Sequence, residues 1–355
     1  MIKNTVYNIR KIVLMLGTAC NFNCIYCVQH DNKPRFKKQI SPQVMEWLEK
    51  VAYQMPMKLK PRIHFYGGEP LLYKEQIHQV IDHFGDDFDY LIVSNGSYLT
   101  DEDVDYFNEH NVHFALSNDG PNTKITRQID MFDDPEFVAR FNRLKSREVD
   151  GVISALNQDF YAFFDHVEKH SPGTQVSHEE LICNEYTDPR LPEFDPEVLL
   201  SGYKRMGEEL LDSWNNQCSR SNGANIFNRY LKQAITFLNR PEFPEFGVCG
   251  SGKSVINVDV QGNVYLCKNF NLKIGTVADS YEVLYERAKE ETKKLRDENI
   301  EKKGCFDCSA FYWCRGGCPF EKPSDAQKKR CDMLRLKWAS VVSFIDNKTE
   351  LEIQE

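Results

Sequence analysis

Cys20, Cys24 and Cys27 stand three and then two residues apart in the stretch Cys20-Asn21-Phe22-Asn23-Cys24-Ile25-Tyr26-Cys27. A single loop of that length can wrap one cubane iron–sulfur cluster. Three thiolates on a four-iron cluster leave one iron open, and an open iron can chelate a small ligand such as an amino acid. Zinc would need a fourth ligand, which His30 offers, but the spacing is unusual for zinc. Seven more cysteines follow late in the chain: Cys249-x12-Gly262-x4-Cys267, then Cys305-x2-Cys308-x5-Cys314-x3-Cys318, then Cys331 after twelve residues. A zinc ribbon on Cys305, Cys308, Cys314 and Cys318 is the simpler alternative; it leaves Cys249, Cys267 and Cys331 idle, and no histidine occurs after His178. Twelve cysteines in all are many for a reducing compartment, where thiolates in such number ligate metal. Cys183 and Cys218 are left over, and a buried inert thiol is the ordinary state of each.

The elements that must present these residues alternate regularly. Strand-like runs fall at Ile12–Leu16, Arg62–Tyr66, Tyr90–Ser94, His113–Ser117, Gly151–Leu156 and Val176–Ile182. Amphipathic helical stretches lie between them, near Pro42–Tyr53, Lys74–Phe84, Asp101–Asn108, Pro135–Lys145 and Asp159–Lys169. Six βα units in series imply a parallel sheet, open or curled towards a barrel, with chemistry at the carboxyl ends of the strands. Cys20 comes just after the first strand, Gly67-Gly68-Glu69-Pro70 after the second, Ser94-Asn95-Gly96 after the third and Ser117-Asn118-Asp119-Gly120-Pro121 after the fourth. Cys183 follows the sixth. Residues 195–240 read as two helices, and Arg240-Pro241-Glu242-Phe243-Pro244 interrupts the pattern at a domain boundary. Beyond it, Ser254–Val260 and Asn263–Cys267 alternate around Gln261-Gly262 as a β-hairpin, Tyr281–Asn299 is a charged helical spacer, and Ala326–Asp346 is a closing helix. The domain division this suggests is 1–190, a helical linker over 191–248, and 249–355.

At 355 residues, with 41% hydrophobic and 27% charged residues, the chain has the composition of a folded enzyme. A net charge of -9 gives no general attraction to nucleic acid or anionic lipid, so a small molecule or a polypeptide is the expected partner. Ile12–Leu16, the longest apolar run near the start, is too short for a signal peptide or a membrane span, and a cytoplasmic location is expected.

The segment Cys20–Cys27, with its aromatic Tyr26, resembles the signature of the radical S-adenosylmethionine (SAM) superfamily. That resemblance implies a partial (β/α)6 TIM-type barrel whose open iron binds the amino and carboxylate groups of SAM, and whose product is a 5′-deoxyadenosyl radical. Gly67, Gly68, Glu69 and Pro70 resemble the family's GGEP motif, in which backbone and Glu69 meet the SAM amino group. Asn95 and Ser117 match SAM-contacting positions, and Arg127 is a further candidate.

The late cysteines resemble the SPASM extension of these enzymes, a small cysteine-rich domain with a hairpin and a terminal helix. The resemblance implies three [4Fe-4S] clusters in total. One auxiliary cluster would use Cys305, Cys308, Cys314 and Cys331; the other would use Cys249, Cys267 and Cys318, its fourth position an open iron, water, a carboxylate or a substrate thiolate. Such enzymes mostly modify ribosomal peptides or proteins, by crosslinking, thioether formation, epimerisation or oxidation of Cys or Ser to formylglycine. The sulfatase-maturing branch carries an aspartate after the cysteine matching Cys267, where this chain has Lys268, which lowers the formylglycine reading. A peptide crosslink or thioether is the favoured product, and radical dehydrogenation of a small alcohol or sugar is the rival. An epimerase would need a hydrogen donor, for which Cys183 is the candidate. An electron donor such as flavodoxin or ferredoxin is implied. With the first cysteine only twenty residues in, a leader peptide would be gripped by a separate protein or by this fold's own surface.

Overall fold

The computed structural model describes residues 9–29, 39–54, 60–183, 187–239 and 245–352. His30 and the Arg240–Pro244 interruption lie outside the described residues. In chain order the elements are β1 (Lys11–Gly17), α1 (Pro42–Gln54), β2 (Arg62–Gly67), α2 (Lys74–Phe84), β3 (Asp89–Ser94), α3 (Asp101–Glu109), β4 (His113–Ser117), α4 (Thr123–Arg127), α5 (Pro135–Asn142), β5 (Arg147–Ile153), α6 (Phe160–His170) and β6 (Gln175–Glu180). There follow α7 (Pro196–Asn215), α8 (Asn222–Asn239), β7 (Val255–Asp259), β8 (Asn263–Tyr265), β9 (Lys273–Thr276), α9 (Tyr281–Ile300), α10 (Phe311–Cys314) and α11 (Asp325–Glu352). The alternating βα order is that of the radical SAM partial barrel expected from sequence.

Two compact units divide the chain. The first comprises Met1–Ser117, Arg127–Val149 and Glu245–Leu295. In it the strands run in the order β4-β3-β2-β1-β7-β8-β9. β1 pairs in parallel with β2, bringing Val13 beside His64 and Met15 beside Tyr66. On its other side β1 pairs in parallel with β7, whose Asp259 stands beside Met15. The pleat sends Ile12, Leu14 and Leu16 to one face, where all three are buried with Ile63 and Phe65 of β2. Each such side chain stabilises the sheet by about 1.5–3 kcal/mol. Glycines permit the closest approaches: a Cβ on Gly17 would fall 2.3 Å from the Tyr73 hydroxyl oxygen. α3 starts on a reciprocal cap, Thr100 accepting the Asp103 N–H and Asp103 accepting the Thr100 N–H.

The second unit comprises Asn118–Thr126, Asp150–Pro244 and Arg296–Glu355. Its core joins α6, α7, α8 and α11 through Phe160, Tyr203, Phe227 and Trp338, all nearly inaccessible to solvent. Gly202 makes room for the Phe160 ring, which sits 5.4 Å from that of Tyr203.

Several boundaries differ from expectation. The fifth strand begins at Arg147 and ends at Ile153, because Ser154 and Asn157 cap each other in a tight 3-10 turn over Ala155–Asn157. The sixth ends at Glu180, so Cys183 lies in the loop beyond it. The helix expected over Pro135–Lys145 stops at Asn142, where the Arg143 N–H turns back to the carbonyls of Arg140 and Phe141. The hairpin expected around Gln261-Gly262 is present, and β9 adds to it in antiparallel register. β9 is Lys-Ile-Gly-Thr, too short and too interrupted by glycine to carry an alternating signal.

Candidate SAM and cluster site

The three-cysteine loop leaves the carboxyl end of β1 and is clasped from two sides. The Glu69 N–H donates to the Ala19 carbonyl at 2.8 Å, and the Gly68 N–H donates to that of Gly17 at 3.0 Å. A Cβ on Gly68 would lie 2.2 Å from the Ala19 carbonyl oxygen, so the Gly-Gly-Glu-Pro turn lies against the cysteine loop only because position 68 has no side chain. From the other side, Asn95 Nδ2 donates to Asn21 Oδ1 at 2.9 Å and points at Cys20 Sγ at 4.0 Å, while Asn21 Nδ2 donates to Ser97 Oγ at 2.9 Å.

Glu69 is 1% exposed and joins the ends of β2 and β3. Its Oε1 accepts from Leu71 N–H at 2.9 Å and Ser94 Oγ at 2.7 Å, and its Oε2 accepts from Asn95 N–H at 2.8 Å. Burial pushes its carboxyl upward, against the lowering effect of those three donors. The Pro70 turn begins on this cap. Tyr26 lies beneath the Arg127 guanidinium, 5.3 Å from ring centre to carbon. Ser117 closes β4, half-buried.

The sulfurs stand among donors. Burial pushes the Cys20 thiol up, as do Glu69 and Cys27, while the Phe22 N–H, 3.4 Å from the sulfur, and Asn95 pull it down. Burial likewise raises Cys27, opposed by the Gln29 N–H and by Arg127. N–H groups and a cation aimed at sulfur are what a thiolate-held cluster requires, and the exposed Cys20 and half-buried Cys24 and Cys27 leave the loop open to it. Among the described residues no three Cys, His, Asp or Glu side chains converge as a single metal ion needs. A cubane spreads its ligands wider than one ion does.

Cys249 and Cys267 lie in the first unit, close enough for Cys249 to raise the Cys267 thiol, which burial raises first and the Asn269 N–H, 3.4 Å away, lowers. Cys318 belongs to the second unit. There Cys305, Cys308, Cys314 and Cys331 are brought together: Cys331 and Cys308 act on Cys305, Cys331 acts on Cys314, and Arg335 bonds to Cys308. Burial carries Cys314 up to about 12. Gln327 Nε2 donates to Cys331 Sγ at 2.8 Å. The turn between Cys314 and Cys318 runs through Arg315, Gly316 and Gly317, all at positive φ.

Cys183 is 2% exposed, its thiol pushed up to about 12 by burial and by Glu321, with Cys331 also near. Cys218 is exposed.

Sequence reasoning missed a buried ionic cluster in the second unit. Glu321 bonds to Arg330 and accepts the Cys183 N–H at 3.0 Å, with Lys303 Nζ at 4.0 Å. Glu180 bonds to Lys337 and lies 3.8 Å from Arg330. Burial disfavours the Arg330 charge, but Glu321 and Glu180 hold its pKa above the ordinary value. No sequence signal marks these residues, since each alone reads as a solvated charge.

Residues 14–157 match the Radical SAM superfamily. The chain is 23% identical over 380 residues to the radical SAM cyclopropyl synthase TigE of Paramaledivibacter caminithermalis, covering 98% of this chain and 77% of that one. It is 25% identical over 360 residues to the serine-type anaerobic sulfatase-maturating enzyme of Bacteroides thetaiotaomicron, covering 89% and 84%. Among solved structures, anSMEcpe with bound AdoMet and the Cp18Cys peptide shares the fold at a TM-score of 0.69 and 17% identity, over 96% of this chain and 99% of that one. Streptococcus suis SuiB bound to S-adenosylmethionine does so at 0.61 and 14%, over 90% and 77%.

Proposed function

We propose that this chain, whose residues 14–157 match the Radical SAM superfamily, modifies a peptide or protein by removing two hydrogens, with a crosslink or thioether as the favoured product. The observation that carries this is the three-cysteine loop at the end of β1, clasped by the Gly-Gly-Glu-Pro turn and by Asn95. In this reading Cys20, Cys24 and Cys27 hold the SAM-binding cluster, which when bound supplies the electron that splits SAM into methionine and the hydrogen-abstracting radical. Gly67, Gly68 and Pro70 shape the turn that faces SAM, and Glu69 holds that turn to the Asn95 loop. In the same reading Tyr26, Asn95, Ser117 and Arg127 supply further SAM contacts. Cys305, Cys308, Cys314 and Cys331 hold one auxiliary cluster, and Cys249, Cys267 and Cys318 the other. The functional division is 1–190, 191–248 and 249–355.

Support for a peptide substrate comes from the relatives: one is named a sulfatase-maturating enzyme, and two similar solved structures hold peptides, Cp18Cys in anSMEcpe and the precursor SuiA in SuiB. The cyclopropyl synthase among them favours bond formation over a simple oxidation. Lys268, where an acid would serve formylglycine formation, argues the same way. The hydrogen-donor role of Cys183 belongs to epimerisation alone. A flavodoxin or ferredoxin would deliver electrons, and a separate protein or this fold's own surface would grip any leader. Among the described residues no helix is long and apolar enough to cross a membrane.

Anaerobic reconstitution tests the reading: about twelve irons per chain are expected from three four-iron clusters, with SAM cleavage to 5′-deoxyadenosine. Replacing Cys20, Cys24 and Cys27 together by alanine should remove about four irons and all cleavage. Stoichiometric zinc without iron would overturn it.

A further inference from the structure

In the second unit, Ser324-Asp325-Ala326-Gln327 opens α11 with the spacing of a reciprocal helix cap, a serine followed three residues later by a glutamine. Only half of that cap is made. The Gln327 N–H donates to Ser324 Oγ at 3.0 Å, but the Gln327 side chain does not turn back to the cap. Its Nε2 donates instead to Cys331 Sγ at 2.8 Å, one helical turn further on, and its Oε1 is buried without a hydrogen-bond partner. Gln327 is only 1% exposed. An unpaired buried carbonyl destabilises a fold, and this arrangement keeps one while aiming its NH₂ group at a sulfur. A thiol sulfur is a weak acceptor, whereas a thiolate makes a charge-assisted bond. The amide is therefore matched to a deprotonated Cys331, the form that iron binds.

The cations beside these cysteines are placed differently. A Cβ on Gly317 would lie 3.3 Å from Arg330 Nη2 and 3.8 Å from Cys314 Sγ, so the guanidinium stands close to that sulfur. Its charge, however, is matched by the buried Glu321 and by Glu180. Arg335 bonds to Cys308, but it is 45% exposed and shared with Asp332, so water screens it. Gln327 is the donor that is both buried and free of a counter-charge, and a dipole acts most strongly where the local dielectric is low.

Taking Cys305, Cys308, Cys314 and Cys331 as the cluster ligands proposed above, we propose that Gln327 acts through Cys331 to set the reduction potential of that cluster. Reduction adds one electron and so one negative charge, which an N–H dipole aimed at a ligand sulfur stabilises more than it stabilises the oxidised form. The reconstituted holoenzyme is titrated with titanium(III) citrate as the electron source, the reduced clusters are followed by electron paramagnetic resonance, and iron is measured on the same samples. The signal that Cys331→Ala removes or alters belongs to this cluster. Gln327→Leu should lower its reduction equilibrium constant by about ten-fold or more, about 59 mV for one electron, and leave the other signals in place. Gln327→Met, which refills the volume without a donor, should do the same. A midpoint unmoved or raised in either variant at full iron content would overturn the proposal, as would an equal shift of every signal. Loss of about four irons in both variants would also overturn it, by making the amide a structural support. If Cys331→Ala leaves iron content and every signal intact, the ligand set proposed above fails and this proposal with it.

Discussion

Replacing Glu321 by leucine removes an acid that solvent does not reach and that three groups share. Its side chain is 0% exposed, as against 5% for Arg330 and 2% for Lys303. Two costs follow. Removing one partner of a buried ion pair typically costs about 3–5 kcal/mol, because the remaining charge keeps its desolvation penalty. Here Arg330 retains Glu180 at 3.8 Å, which places the cost near the lower end, about 3 kcal/mol. The Cys183 N–H also loses its acceptor, and an unsatisfied buried donor costs about 1–3 kcal/mol. The two overlap in space and do not simply add, so about 4 kcal/mol is expected for Glu321→Leu. Glu321→Gln keeps an acceptor for the Cys183 N–H and should lose about 3 kcal/mol. Urea unfolding at equal iron content, followed by tryptophan fluorescence, measures both, since Trp214, Trp313 and Trp338 lie in the same unit as Glu321. The double variant Glu321→Leu with Arg330→Met should recover part of the loss, because no uncompensated charge then remains. A loss below about 1 kcal/mol for Glu321→Leu, or a larger loss for Gln than for Leu, would refute this account of the cluster.

Three further outcomes are expected. His178, bonded through Nε2 to the Tyr230 hydroxyl at 2.6 Å, has its pKa pulled down to about 3 by burial and then by Arg229. Because the folded pKa lies below the unfolded one, the unfolded chain binds the extra proton between them. Stability should therefore fall as pH drops below about 6.5, by up to about 1.4 kcal/mol per unit, and denaturation at pH 7 and 5 should show a slope that His178→Phe reduces. Glu69→Gln puts an NH₂ group where three donors converge, and SAM affinity measured by equilibrium binding should fall by about ten- to a hundred-fold with iron content unchanged. Gly68→Ala drives a methyl into the Ala19 carbonyl and should abolish SAM binding, whereas Gly304→Ala, with nothing within 4 Å of its Cβ but a φ of +66°, should cost only about 1–2 kcal/mol by thermal unfolding and leave SAM binding intact.

The cysteine loop, the turns after β2 and β3 and the alternation of strand and helix were legible in the amino-acid order, because each depends on spacing within a few residues or on a period that repeats along one element. Cys20, Cys24 and Cys27 share one loop, and Gly68 announces a close backbone approach by being glycine. Tertiary structure alone decided which charges matter. Glu180, Lys303, Glu321, Arg330 and Lys337 come from well-separated stretches and become a buried cluster only when the loops and helices of their unit pack. Likewise, nothing in the sequence says that β7 docks in parallel beside β1, because register between distant strands depends on which faces are buried. That docking sets Asp259 beside Met15, and only hydrogen-bond geometry there shows that this acid is consumed by its own turn.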